Sequence, residues 1–359
     1  MKYINKLKID YILLICVLLF FIISILSIYS IDKTLALKQS IWYILGFIII
    51  FIIYLINNNT YKYVWYLYIV GIIFLILVLL FGSTINGSKC WFKIPYIGNI
   101  QPSEYFKIIL ILIISKVIYN SKKNFKLILK VSLLTLIPSI PIFLEPDTGM
   151  VIIYLVIMFT TLFISGIKYR WFIIFFILLI LTVSFILLTY FTNPDLFIKL
   201  FGNSFFLRIN RLLDWGSGYQ FKSGITAIGS GGLIGYGINN TPIYFPEAST
   251  DFIFAVFSNN YGFIGSIILI SIIIIFDLCL IKIAIKSNVL GKLIISGFVG
   301  MIMYQQFQNI GMTIGLLPIT GITLPFISYG GSSLISYMIM IGIVLSIKKD
   351  LSCDRSCFL

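Results

Sequence analysis

Ten long apolar stretches run through this chain, at residues 11–29, 40–56, 64–81, 103–119, 127–144, 148–165, 171–191, 251–280, 292–317 and 330–347. The hydrocarbon core of a bilayer is about 30 Å thick and takes ~20 apolar residues of helix to cross. Inside it every backbone N–H and C=O has to be satisfied within the protein, which a helix does for itself. Charged residues make up 11% of the 359, against about 25% in soluble domains. A soluble globular enzyme is excluded.

The basic residues set the orientation. Of 26 Lys and Arg, 17 fall on the side that also holds both ends of the chain: Lys2, Lys6, Lys8, Lys62, Lys116, Lys122, Lys123, Lys126, Lys130, Lys168, Arg170, Lys282, Lys286, Lys292, Lys348, Lys349 and Arg355. The positive-inside rule makes that side cytoplasmic. Eight of the twelve acids fall in or beside the outer loops: Asp32, Glu104, Glu145, Asp147, Asp195, Asp214, Glu247 and Asp251. The net charge of +14 therefore reads as membrane topology, not as a nucleic-acid footprint. The expected fold is all-α: a polytopic integral membrane protein of about ten transmembrane helices, with both termini cytoplasmic and one large extracellular loop at 192–250. The first stretch ends in Ser27-Ile28-Tyr29-Ser30, without a small-x-small cleavage pattern, so it reads as a membrane helix and not as a signal peptide. Residues 1–359 form a single membrane domain in this reading.

Histidine is absent, which removes His-based acid–base work, Ser-His-Asp triads and His-ligated metals. A catalytic base has to come from the carboxylates. Ionisable groups beside membrane spans cost about 2.5–3.5 kcal/mol each on insertion scales and are functional candidates for that reason. Four outer clusters qualify. In the first, Lys89 precedes Gln101-Pro102-Ser103-Glu104, a helix start that sets Glu104 and Lys107 on one face. The pair is either a neutralising ion pair or part of an anion or sugar site. The second is Glu145-Pro146-Asp147-Thr148-Gly149, where Asp147 suits a helix N-cap and Glu145 has no such duty. In the third, Arg208 and Arg211 precede the run Gly229-Ser230-Gly231-Gly232, a combination that suits a phosphate or equally an exposed loop. In the fourth, Glu247 and Asp251 open a long apolar helix, and Asp251 is either a base or an N-cap. A further uncharged segment, 315–333, has two prolines and four glycines. It reads as a broken helix buried in protein or lining a cavity, with Ser328 and Ser332 as its candidate hydroxyls.

Residues 317–333 (LPITGITLPFISYGGSS) resemble the signature of the SEDS proteins, the RodA, FtsW and SpoVE group. Asn86-Gly87 with Trp91 resembles that family's NGxxxW element, and 101–107 its QPSExxK element. Residues 145–149 are similar to its (Q/E)PDxG turn, 208–232 to RIxxFLD…GYQ…AIGSGG, and 246–255 to PEAHTDFIFA. Within the family, 310–315 (IGMTIG) and the brief termini resemble RodA more than FtsW.

The resemblance implies a peptidoglycan glycosyltransferase of the bacterial cytoplasmic membrane. It polymerises lipid II at the outer face, releases undecaprenyl diphosphate, and serves elongation, division or sporulation. The family's essential aspartate falls on Asp251, and candidate substrate contacts are Lys89, Glu104, Lys107, Glu145, Asp147, Arg208, Glu247, Ser328 and Ser332. In this scheme Asp251 is the base, while Lys107, Arg208 and Lys89 hold the pyrophosphate, with a divalent cation (Mg or Mn) as an optional companion. Expected partners are a class B penicillin-binding transpeptidase and the elongation or division machinery, with no nucleic acid. Three departures stand out: Ser249 replaces the usual histidine, Lys89-Cys90 replaces Arg-Arg, and 258–262 reads SNNYG where the family has GEELG. Two alternatives remain, a lipid II flippase and a catalytically silent scaffold for the transpeptidase. The absent glutamates favour the second.

Overall fold

The computed structural model describes residues 10–56, 63–85, 88–94, 98–213, 216, 218–238 and 246–356. Three helices open the fold, α1 (Tyr11–Tyr29), α2 (Lys33–Leu55) and α3 (Val64–Phe81). After a small sheet come α4 (Pro102–Tyr119), α5 (Phe125–Leu144), α6 (Thr148–Ile164) and α7 (Arg170–Thr192). Three short helices follow, α8 (Pro194–Phe201), α9 (Asn203–Leu213) and α10 (Tyr219–Ser230). The fold closes with α11 (Ile253–Lys286), α12 (Val289–Thr313) and α13 (Gly331–Ser356).

Eight of these helices are long and apolar enough to cross a membrane: α1, α2, α3, α5, α7, α11, α12 and α13. α6 is apolar but has 17 residues, and α4 carries Glu104, Lys107 and Lys116 within its run. Helix starts follow local capping. Asp10 accepts from the Leu13 N–H, and Asp32 accepts from those of Thr34 and Leu35. The second cap corrects the start of α2, expected at residue 40. Once Asp32 takes up the orphan donors, the polar turn around Lys33 and Lys38 is helical as well.

α4 lies at the centre, packed against α3, α5, α6, α12 and α13 and buried along most of its length. Around it run the pairs α2–α13, α6–α12, α11–α12 and α1–α11. α7 stands at the edge, with Thr189 its one buried residue.

Two segments between the long helices differ from expectation. The all-α reading is corrected by a three-stranded antiparallel sheet, β1 (Ser83–Ile85), β2 (Ser88–Ile94) and β3 (Gly98–Ile100), which pairs Ser83 with Trp91 and Phe92 with Ile100. Strands of three to seven residues leave no alternation long enough to read. The long outer loop is mostly helical, built from α8, α9 and α10. Asn86, Gly87, Asp214 and residues 243–245 lie outside the described residues.

α11 breaks at Gly262 (φ 65°, ψ −163°). A Cβ there would stand 2.5 Å from the Gly235 nitrogen and the Leu233 carbonyl, so only glycine fits. The outer chain docks on the break. Tyr236 N–H donates to Asn259 O (3.0 Å), Gly237 N–H to Asn260 O (2.9 Å), and Phe263 N–H to Gly232 O (2.9 Å).

Between α12 and α13, residues 314–330 leave the helical path, as the prolines and glycines predict; 314–321 are exposed or half-buried, and 322–330 run on as a largely buried strap. Its backbone is satisfied by side chains of the bundle, which makes non-helical chain tolerable at membrane depth. Ser24 Oγ donates to Ile327 O (2.8 Å), Gln39 Nε2 to Ser328 O (3.2 Å), and Tyr43 OH to Phe326 O (2.6 Å). Phe326 adopts φ 65° and is wedged among the rings of Phe20, Phe276 and Tyr337.

Candidate active site

Asp251 lies in the turn that leads into α11, and its carboxylate does not cap that helix. The cap position of α11 belongs to Phe252, and no side-chain cap bond is made there. Among the described residues no hydrogen-bond donor reaches the Asp251 carboxylate; what is held is its backbone, whose carbonyl accepts from Asn309 Nδ2 (2.8 Å). Asn309 Nδ2 also donates to Ile322 O (2.8 Å), tying the strap to this turn. Ser328 Oγ donates to Thr250 O (2.6 Å) and accepts from Leu324 N–H (2.8 Å). Ser332 Oγ accepts from Gln101 N–H and donates to Asn99 O, both at 3.2 Å. The two serines therefore staple loops around the site.

The strap passes between two acidic turns. At Gly321 (φ 71°) a Cβ would stand 3.7 Å from Asp251 Oδ2, and at Gly149 it would meet the Thr320 carbonyl and Ile322 at 3.1 Å. Asp147 therefore sits across the strap from Asp251. It caps α6 through Met150 N–H (3.1 Å) and also accepts from Gln101 Nε2 (2.9 Å). Its expected cap role holds, and the second bond joins it to the start of α4. Glu247, at φ 58°, accepts the Thr250 hydroxyl and shapes the turn before Asp251.

Burial raises Asp251, Asp147 and Glu145, and repulsion from neighbouring carboxylates adds to it. Asp251 is pushed up to about 7 by burial, Glu247 and Asp147. Asp147 is pushed up to about 6 by burial and Glu104, against the lowering contacts from Met150, Gln101 and Lys107. Glu145 rises to about 8 through burial and Asp147. Burial, then Asp147, Glu145 and Glu104, push the Cys90 thiol up, which sets β2 against these acids.

Glu145 is 1% exposed, and among the described residues neither of its oxygens has a hydrogen-bond partner. Its folded value exceeds the ordinary 4.5, so the folded state holds the proton more tightly than the unfolded chain. The sign follows: its contribution to stability is full below about pH 4.5 and is lost as pH rises towards 8. Glu145→Gln should melt higher than the parent, by a margin that widens from pH 5 to pH 8 in scanning fluorimetry. Parallel melting curves across that range would show that folding leaves the Glu145 carboxyl at its ordinary value.

Three of the expected contacts are placed as follows. Lys107 forms an ion pair with Glu104, is fully buried, and lies 4.1 Å over the ring of Tyr337. Ser336 donates to the same carboxylate (3.5 Å), and Tyr337 OH donates to Gln305 Oε1 (3.3 Å). This is the neutralising pair, closed to direct contact with an anion. Lys89 Nζ donates to Leu80 O (2.8 Å) at the end of α3, outside the carboxylate cluster. The glycine run closes the end of α10. Gly231 N–H donates to Ala227 and Ile228 within its own helix end, and Gly231 packs on the Ser258 and Asn259 backbone. Arg208 lies on α9, and its side chain is outside the described residues.

Composition alone hides what Asn259 and Asn260 do in place of the family's glutamates. Asn259 Nδ2 donates to Ala227 O (2.8 Å) and Ser230 Oγ (2.9 Å), and Asn260 Nδ2 donates to Ser30 Oγ (2.8 Å). They clamp α10 and α1 onto the outer turns of α11, a task an amide does without a charge. Among the described residues no three His, Cys, Asp or Glu side chains gather where they could hold a metal ion. The described residues do not form a protein-ligated cation site.

The family model of the FtsW, RodA and SpoVE cell cycle proteins matches residues 5–352. The chain belongs to the SEDS family. A Coxiella burnetii relative named probable peptidoglycan glycosyltransferase FtsW is 36% identical, over 80% of this chain and 79% of that protein. The Helicobacter pylori (strain ATCC 700392 / 26695) peptidoglycan glycosyltransferase MrdB is 33% identical, over 90% and 85%. SEDS proteins named FtsW and MrdB thus match at similar identity, so identity assigns no subgroup. A solved chain from a peptidoglycan synthase complex that coordinates polymerization and crosslinking superposes with a TM-score of 0.82, at 26% identity, covering 96% of this chain and 99% of that one.

Proposed function

We propose that this chain is a peptidoglycan glycosyltransferase of the bacterial cytoplasmic membrane, polymerising lipid II at the outer face and releasing undecaprenyl diphosphate. The observation that carries this reading is the Asp251 carboxylate: free of capping duty, raised to about 7, and backed by a buried strap. A base with that affinity takes a hydroxyl proton and later loses it near neutral pH. Asp251 removes the proton from the acceptor hydroxyl. The acceptor oxygen then attacks the anomeric carbon of the donor sugar from the face opposite the diphosphate. The bond to the diphosphate breaks, and the leaving group departs with the electron pair and needs no proton. Arg208 supplies positive charge to that leaving group, while Lys107 keeps α4 neutral at its outer end. A companion Mg or Mn would have to be held largely by the substrate's diphosphate.

The topology consistent with this function has ten crossings, α1 to α7 and α11 to α13, with both termini cytoplasmic and 192–250 outside. In a cysteine-free background, Thr84→Cys should react with an impermeant maleimide from outside, and Lys122→Cys only after permeabilisation. Exclusive labelling of Thr84→Cys from the cytoplasm would invert the model. The partner is a single-span class B transpeptidase, contacting lipid-facing helices. The decisive assay reconstitutes the chain with that partner and lipid II and reads glycan chains on a gel. Lipid II that is flipped but not polymerised would instead establish the transporter.

A further inference from the structure

Thr192 ends α7, and Asn193 caps α8, so α8 begins where an apolar helix of membrane-crossing length stops. Pro194 opens α8 at its first position, and Gly202 (φ 85°) turns the chain into α9. Helical spacing sorts the residues of α8. Asp195 and Lys199 share one face, Phe197 lies on the opposite face, Leu196 and Leu200 share one flank, and Ile198 and Phe201 the other. Phe197 is fully buried in a cluster of rings: 5.7 Å from Tyr190 of α7, and 5.9 Å from both Phe205 and Phe206 of α9. Tyr190 OH donates to Asn210 Oδ1 (3.0 Å), so α7, α8 and α9 form a braced elbow.

The flanks of that elbow are bare. Leu196 is 44% and Leu200 57% exposed, and they follow directly on Leu188 (62%) and Phe191 (68%) at the outer end of α7. A patch of this kind continuing from a lipid-facing helix is covered by the same lipid. We infer that α8 and α9 lie in the outer-leaflet interface, with phospholipid as the partner of the α8 flanks and Asp195 and Lys199 turned to water. Interfacial helices sink their apolar sides about 5–10 Å into the boundary between headgroups and acyl chains. α9 carries Arg208 in its middle. The elbow thereby holds that residue at headgroup depth, level with the diphosphate of a lipid-linked sugar. This last step rests on the proposed function; the depth of the elbow does not.

The test uses the full chain in phosphatidylcholine nanodiscs, cysteine-free except for Leu200→Cys or Lys199→Cys carrying an NBD fluorophore. Aqueous iodide should quench the label at 199 at least about threefold more strongly than the label at 200, and doxyl-labelled lipid should show the reverse order. Equal iodide access at both positions overturns the inference. Shielding of position 200 from both quenchers once a transpeptidase is reconstituted would assign the surface to protein and overturn it too. Leu200→Asp should raise KM for lipid II about tenfold with kcat within about twofold, roughly one leucine's lipid contact being lost. An unchanged KM removes the role of presenting Arg208. The quenching needs no turnover, so a chain that fails to polymerise counts against the proposed function while the depth is still decided by iodide and doxyl lipid.

Discussion

Asp251→Asn should lower lipid II polymerisation by at least ~10²-fold, the lower end for general-base catalysis, while the protein folds and purifies normally. Asparagine keeps the size of the side chain and removes its basicity. The fold has little to lose, because the carboxylate caps nothing and Asn309 holds the backbone carbonyl of the residue, not its side chain. The pH profile supplies an independent readout. With Asp251 raised to about 7, kcat/KM should fall with acidity below neutrality and level off above it, and the residual rate of the variant should lack that limb. Glu247→Gln should be milder, since an amide oxygen can still accept the Thr250 hydroxyl. A near-parental rate in Asp251→Asn, in a gel assay of glycan chains, would remove Asp251 as the base. Misfolding would instead show the turn to depend on the charge.

Lys107→Met should act mainly on stability. Glu104 would be left charged and buried without its partner, and breaking a buried pair from one side costs on the order of 3–5 kcal/mol. Loss of the contact with the Tyr337 ring adds to this. The double variant Glu104→Gln/Lys107→Met removes both charges and should recover most of the melting temperature and monodisperse yield. Were Lys107→Met to melt like the parent and lose only polymerisation, the lysine would be a substrate ligand and the closed ion pair a resting arrangement.

The membrane helices were legible because their signal is length and apolarity, which packing does not alter; α1 and α3 begin and end where the apolar runs do. α2 was read late because its first turn is polar and its start depends on one capping aspartate. α10 was hidden by its glycines, which weaken a helix by about 1 kcal/mol each. At Gly224 a Cβ would stand 2.8 Å from the Phe252 ring, so close packing overrides propensity there. Within the candidate site, residue types located Asp251 and Asp147 as acids in turns at helix entrances, which is where they lie. They could not tell a lysine that faces solvent from one sealed by Glu104 and Tyr337. That distinction is tertiary, and no spacing of residues carries it.

Bilayers differ in thickness, and a helix longer than the local hydrocarbon tilts to fit. α11, at 34 residues, is such a helix, and its break at Gly262 is laced on both sides. The carbonyls of Asn259 and Asn260 before the break accept from Tyr236 and Gly237, Phe263 and Ile264 after it donate to Gly232 and Leu233, and Ser266 Oγ donates to Ser258 Oγ across it (2.9 Å). The kink is thereby a fixed angle, and a tilt of the long segment carries into the turn that holds Asp251.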